Sequence, residues 1–381
     1  MIYRPIGNTG MSASLIGLGT EHLDNKPYET VESVINCALE QGINMMDLFM
    51  PGTPVRQNIG KALAGRRDKV LIQGHIGSTD INQQYDVSRD LKTIKKYIDN
   101  LLLCLNTDYI DFGMLFFIDS EKDFKDVFEG DVLPYALDLK KQGKIRALGA
   151  SSHHPVIARK VVESGLVDLL MFSINPAFDM AAADTYVLDY MGDDAMNYEK
   201  KLDPDRAALY RLCEQRGTAI TVMKTLGAGK LISPLHTPFG KPLSVTQCIH
   251  YAVTRPAVVS ALIGCSTPEQ VLEAVGYLNA NEEEHDYSAL LQEYQGNMKG
   301  NCVYCSHCQP CPSVINIADV NKYLDIALLD ETNIPPSVAS HYRALEHTAC
   351  ECTACGSCEE RCPFSVPVMQ KMKKAASLFG K

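Results

Sequence analysis

The chain has 381 residues, 46% of them hydrophobic and 22% charged, which is more than one compact core usually takes and too apolar for disorder. Its 36 Lys+Arg against 46 Asp+Glu leave −10 at pH 7, a balance that speaks against a general binder of nucleic acid or anionic membranes. No apolar run reaches the roughly 18 to 20 residues of a membrane helix, and the opening MIYRPIGNTG lacks the basic flank and apolar stretch of a secretory signal, so the expectation is a soluble, cytoplasmic protein.

In chain order, short apolar runs alternate with amphipathic stretches up to about residue 280. Strands are predicted at 15–19 (LIGLG), 44–47, 69–74 (KVLIQG), 110–115, 145–150 (IRALGA), 168–173, 219–223 and 258–264. Between them lie helical patterns such as 29–42, 88–105 and 206–217. The strands are almost wholly apolar, as strands covered on both faces must be. Eight such units predict an α/β chain folded as a (β/α)8 TIM barrel rather than an open doubly wound sheet, and no G-x-G-x-x-G opens a helix after the first strand. An active site would then lie at the carboxyl ends of the strands. Residues 179–203 break the cadence after the sixth strand, as either a lid or docking loop or a solvated acidic loop. Residues 281–300, rich in Glu and then Gly, predict a linker between a barrel over 1–280 and a separate tail over 301–381.

Fourteen cysteines are the anomaly. Cys37, Cys104, Cys213, Cys248 and Cys265 are scattered among apolar or small neighbours and read as buried small hydrophobes. The other nine crowd after residue 300, where clustered thiols in a cytoplasmic chain point to metal rather than disulfides. Cys302, Cys305, Cys308 and Cys311 form C-x2-C-x2-C-x2-C-P, and Cys352, Cys355, Cys358 and Cys362 form C-x2-C-x2-C-x3-C-P, the bacterial ferredoxin pattern. The expectation is two [4Fe-4S] clusters in a small α-helical ferredoxin-like domain. In two-cluster ferredoxins the fourth thiolate reaches the other cluster. That groups Cys302, Cys305 and Cys308 with Cys362, and Cys352, Cys355 and Cys358 with Cys311; the uncrossed grouping stays open. Two four-cysteine zinc sites are the alternative, although zinc ribbons present two separated C-x2-C pairs. Cys350 is surplus to both sets. The final KMKKAASLFGK carries four lysines, which either dock an acidic ferredoxin or simply solvate a helix end.

The segments YRPIGNTGMSASLIGLGT, RALGASSHHP, VMKTLGAGKL and VSALIGCSTPEQVLEAV resemble the aldo-keto reductases, at their first hairpin and strand, their fifth and seventh strand ends, and their eighth strand with its following helix. The likeness covers roughly 1–280. With the tail, the chain resembles the prokaryotic branch of that family carrying a C-terminal two-cluster ferredoxin-type domain. The resemblance implies an oxidoreductase with a tetrad of Asp, Tyr, Lys and His above the barrel, Tyr giving the proton to a carbonyl. In MMDLFMPGTPVRQNIGKAL the Asp falls on Asp47 and the helix Gly on Gly60, while the Tyr falls on Gly52, the Lys on His75 and the His on Phe116. Glycine cannot supply the acid that carbonyl reduction needs. His75, held by Asp47, either takes over that role or fills the space of a lost Lys. His153, like His154 beside it, faces the expected site and is a further catalytic candidate.

For a nicotinamide the resemblance assigns Ser151 and Ser152 to the family's Ser-Asn pair and Asn175 to the sixth strand end, with Met171 where the family has Gln. Ser266 and Thr267, before the last barrel helix, could receive a phosphate through backbone N–H groups, and Lys224 could add charge. NAD, NADP, a flavin or no dinucleotide all stay open. Three functions follow. In the first, clusters pass single electrons to or from a small organic substrate at the barrel mouth, with a ferredoxin or other redox carrier as partner. The second is a non-catalytic electron-transfer subunit of a larger complex. The third is a conventional NAD(P)H-dependent carbonyl reductase with His75 as acid.

Overall fold

A computed structural model describes residues 1–81, 84–180, 203–288 and 300–380. The acidic spacer, over 181–202, and most of the expected linker, over 289–299, lie outside the described residues. Among the described residues no helix is long and apolar enough to cross a membrane.

The chain opens with an antiparallel hairpin of β1 (Tyr3–Pro5) and β2 (Ser12–Ser14). The barrel strands follow: β3 (Ile16–Gly19), β4 (Met45–Leu48) and β5 (Leu71–Ile76). A polar hairpin of β6 (Ser78–Ile81) and β7 (Gln84–Val87) intervenes, which the apolar pattern did not predict. Then come β8 (Ile110–Leu115), β9 (Ile145–Ser152), β10 (Leu169–Ser173), β11 (Ala219–Met223) and β12 (Val258–Gly264). The barrel closes in the order β3-β4-β5-β8-β9-β10-β11-β12, each predicted strand appearing within two residues of its expected limits. Every residue of β5 and β8 is buried, as parallel strands with helices on one side and a barrel interior on the other require. Ile6, Met11 and Ala13, from the first hairpin and its turn, pack with Met45, Leu71, Phe112, Ala147, Leu169, Ala219 and Val259, so the amino end of the barrel is filled with apolar side chains.

Helices α1 (Tyr28–Glu40), α2 (Thr53–Ala62), α3 (Leu91–Leu105), α4 (Glu121–Phe128), α5 (Val132–Lys141) and α6 (Pro155–Glu163) cover the barrel. A Cβ on Gly60 of α2 would stand 2.0 Å from the Cys104 carbonyl of α3, so only glycine lets these helices approach so closely. Cys213, Cys248 and Cys265 are buried as expected, while Cys37 and Cys104 sit half-buried on α1 and α3.

The described chain divides into two compact units. The first takes residues 1–174, 218–225 and 259–278, the barrel with its hairpins. The second takes 175–217, 226–258 and 279–381. It contains α7 (Pro176–Asp179), α8 (Pro204–Arg216), α9 (Val245–Val253) and, in the tail, α12 (Ile317–Ala327), α13 (Pro336–Arg343), α14 (Ser357–Arg361) and α15 (Val368–Phe379), with α10 (Pro268–Gly276) belonging to the first unit and α11 (Glu282–His285) preceding the tail. Ile326, Ala327 and Val338 form its tail core, against Tyr323, Ile334, Leu378 and Phe379. Asp179 accepts from Arg206 Nε at 2.9 Å, Tyr210 Oη at 2.5 Å and Tyr251 Oη at 2.8 Å, joining α7, α8 and α9 through one buried carboxylate.

Candidate functional site: two histidine–aspartate pairs and two cysteine cavities

Strand register puts Asp47 of β4 opposite Gln73 of β5, and His75 follows on the same side of β5, since strand side chains repeat every second residue. All three are buried. The Asp47 Oδ1 atom lies 2.7 Å from His75 Nε2 and accepts from Gln73 Nε2 at 2.9 Å. A carboxylate only accepts, so His75 carries a proton on Nε2 and presents Nδ1 as its free position. That Nδ1 is buried and has no protein partner, as is Gln73 Oε1. Orphaned buried polar atoms of this kind mark where a ligand's own polar group belongs. The ring is fixed edge-on against Phe116, centroids 5.1 Å apart, and Phe49, 6.2 Å apart.

A second pair stands beside it. Asp119, in the loop after β8, meets His153 Nδ1 at 2.8 Å and accepts from the His153 backbone N–H at 2.6 Å and from Ser152 Oγ at 3.2 Å. Burial opposes the Asp119 charge, but the His153 ring, its backbone N–H and the Ser152 hydroxyl together hold the carboxyl below its usual range. Ser151 Oγ accepts from the backbone N–H of Phe117, a residue with φ 54°. Arg89 ties the same corner down by donating to the Phe116 and Phe117 carbonyls at 2.8 and 2.9 Å. The Phe116 and Phe117 rings lie 5.9 Å apart, and Phe117 lies 5.0 Å from His153, so an aromatic run connects the two pairs. Asp119, Gln73, Arg89, Phe49 and Phe117 were not singled out in the sequence. The acid directly beyond the β8 apolar run was the one signal for Asp119.

The remaining site candidates are placed as follows. Lys224 follows β11 with φ 58°; burial draws its ammonium below the usual range, and Glu21 and Asp119 draw it back. Thr267 caps α10 by accepting from Gln270 N–H at 3.4 Å, and Ser266 gives its backbone N–H to Gln270 Oε1 at 2.7 Å, so the donors at this helix start close on Gln270. A Cβ on Gly264, two residues before Ser266, would stand 2.4 Å from the exposed His22 ring, which would have to swing aside. Asn175 is in the second unit, where its side chain caps α7 through Phe178 N–H at 2.9 Å.

In the second unit the eight tail cysteines line two cavities. Cys302, Cys305, Cys308 and Cys362 line one of them. Cys311, Cys352, Cys355 and Cys358 line the other, and Val368 borders both. Each cavity thus takes three thiols from one burst and one from the other. Asn321 Nδ2 donates to Cys302 Sγ at 3.5 Å and the Ala354 N–H to Cys352 Sγ at 3.4 Å. Burial pushes the Cys302 thiol up to about 11 and Cys305 up to about 12, whereas the Ser357 N–H and hydroxyl hold the exposed Cys355 down. No cysteine is in a disulfide, and among the described residues no three His, Cys, Asp or Glu side chains converge on a point that could hold a single metal ion. Cys350 is exposed and lines neither cavity.

The profile of the Aldo/keto reductase family matches residues 15–238. An uncharacterized oxidoreductase of Bacillus subtilis, YqkF, is 25% identical over 306 residues, covering 76% of this chain and 95% of its own. The NADH-specific methylglyoxal reductase of Escherichia coli is 24% identical over 347 residues, covering 76% of this chain and 97% of its own. Among solved structures, an aldo-keto reductase from Bacillus halodurans matches with a TM-score of 0.59 at 21% identity, covering 77% of this chain and 96% of its own, a likeness of fold.

Proposed function

The chain belongs to the aldo/keto reductase family and is an oxidoreductase, and from that premise we propose that its barrel mouth reduces a small carbonyl compound at the expense of a nicotinamide, with His75 as the acid. The observation that carries this reading is the buried His75–Asp47 pair with Nδ1 unpartnered. When protonated on both nitrogens, the imidazole gives its Nδ1 proton to the carbonyl oxygen, and the Asp47 carboxylate stabilises the imidazolium that precedes the transfer. NADH or NADPH, when bound, supplies the hydride that goes to the carbonyl carbon, so aldehyde or ketone becomes alcohol. Phe49, Phe116 and Phe117 exclude water around the ring, which strengthens the His75–Asp47 attraction. In the barrel unit Ser151, Ser152 and Lys224 would hold the cofactor, and Ser266 and Thr267 would meet its phosphates only after Gln270 swings aside. The name of the Escherichia coli relative supports a nicotinamide and a small dicarbonyl as the first substrates to try.

The test is NADH and NADPH oxidation against a panel of small aldehydes and ketones. Substituting His75→Gln should lower kcat/KM by about 10²- to 10⁴-fold, the usual worth of a general acid. An unchanged rate would remove His75 from the chemistry.

A second reading rests on the cysteine cavities. Four thiols arranged around a cavity, rather than on a point, suit a cluster of several irons better than one zinc ion. The tail over 301–381, joined through 281–300 to a barrel over 1–280, then holds two [4Fe-4S] clusters, one on Cys302, Cys305, Cys308 and Cys362 and one on Cys311, Cys352, Cys355 and Cys358. Bound clusters supply one-electron transfer, linking the barrel chemistry to a ferredoxin or similar carrier. Iron and acid-labile sulfide after anaerobic reconstitution test it, with zinc in their place as the outcome against.

A further inference from the structure

Arg255, which follows α9, is only 4% exposed. Its Nη2 donates to the Val303 carbonyl at 2.6 Å, the Tyr287 hydroxyl at 2.7 Å and Thr254 Oγ1 at 3.2 Å. The guanidinium lies 4.3 Å from the Tyr251 ring centroid and 5.5 Å from that of Tyr304. All of these partners are neutral, and Nε is buried with none. Among the described residues Arg255 makes no ion pair, and the buried carboxylate that acts on it from a distance, Asp179, is already bound to Arg206 at 2.9 Å. A lone cation in a low-dielectric interior is costly, and a fold that keeps one there needs a negative charge to match.

The carbonyl it grips shows where that charge belongs. Val303 lies between Cys302 and Cys305, and all three line the cavity that Cys308 and Cys362 complete. Tyr287 donates to the same carbonyl at 3.2 Å, so the peptide behind two thiols is held from the interior side by a cation and a hydroxyl. A four-iron cluster on four thiolates is anionic, and one-electron reduction adds a further negative charge without making or breaking a bond. A fixed cation behind it favours the reduced state more than the oxidised one and raises the potential. The charge on the lining of the other cavity is Arg361, which donates to the Cys308 and Pro310 carbonyls at 2.7 and 2.6 Å; its Nε is also buried without a partner, but the residue as a whole is partly exposed, so solvent and salt screen it more than Arg255.

Resting on the two-cluster reading, we propose that Arg255 is a positioning residue whose buried charge raises the reduction potential of the cluster on Cys302, Cys305, Cys308 and Cys362. The test is a dithionite redox titration of the reconstituted full-length protein, followed by electron paramagnetic resonance, with iron and sulfide measured on the same samples. Arg255→Gln keeps a donor for Val303 and removes the charge; it should move one of two midpoints to more negative potential and leave the other in place. Arg255→Lys keeps the charge and should stay near the wild-type midpoint. Selective loss of one cluster in the Gln variant, retained in the Lys variant, has the same meaning. Two unmoved midpoints in Arg255→Gln, or equal damage in both variants, overturn the role of Arg255. A wild-type protein that takes up no iron and sulfide overturns the cluster reading itself.

Discussion

At His75 one ring nitrogen is committed to Asp47 and the other has no protein partner. Gly52 shows what the same mouth lacks. Its φ of −60° suits any residue, and an added Cβ would meet Asp24 Oδ1 at 3.5 Å and Val55 Cγ1 at 3.6 Å, ordinary contacts. Gly52→Tyr should therefore fold with stability within about 0.5 kcal/mol of wild type, measured by urea denaturation, and should restore turnover to the His75→Gln variant if the tyrosine reaches the carbonyl. Asp119 sets a pH dependence. Its folded carboxyl lies below the ordinary 3.8, so its stabilising contribution is complete above that value and is lost as pH falls through the folded one. Asp119→Asn should accordingly be less stable than wild type at pH 7, and the gap between the two melting temperatures should close in acid. A gap that persists unchanged at low pH would place the loss in packing instead of charge.

Elements here are tied by single polar or small residues. The Asp179 carboxylate gathers α7, α8 and α9 by accepting from Arg206, Tyr210 and Tyr251, and removing it would take a charge partner from a buried guanidinium. Asp179→Ala should cost about 3–5 kcal/mol, read as a lower denaturant midpoint with an unchanged slope. Between α2 and α3 the Gly60 contact leaves no room for a methyl group, so Gly60→Ala should destabilise by about 1–3 kcal/mol despite alanine's better helix propensity. The barrel strands were legible as elements because both faces of each are covered and every residue must be apolar. The β6–β7 hairpin, STDI and QYDV, was not, because its backbone pairing makes no demand on hydrophobic order in so short and polar a stretch. Lys371 and Lys374 of α15 pair with Asp325 and Glu331, so two of the tail lysines are already engaged within their own unit.

For the whole molecule, chain order and spatial grouping differ, since 175–217 and 226–258 join the tail in the second unit. If that unit holds clusters, binding energy becomes folding energy. Chelating the iron under anaerobic conditions should lower its calorimetric melting temperature, and re-adding iron and sulfide should restore it; a transition indifferent to iron would separate the tail's folding from metal. The sequence by itself determined the eight-stranded barrel and the gathering of thiols in the tail, which follow from local periodicity and spacing, while the family resemblance put Asp47 and His75 at strand ends. Tertiary structure alone decided that Gln73 shares Asp47 with His75, that Asp119 finds His153 across 34 positions and that Arg255 stands behind Val303, and it chose the crossed over the uncrossed grouping of thiols around the two cavities. Those pairings join residues distant in the chain, and no local pattern carries a distance that only the closed fold creates.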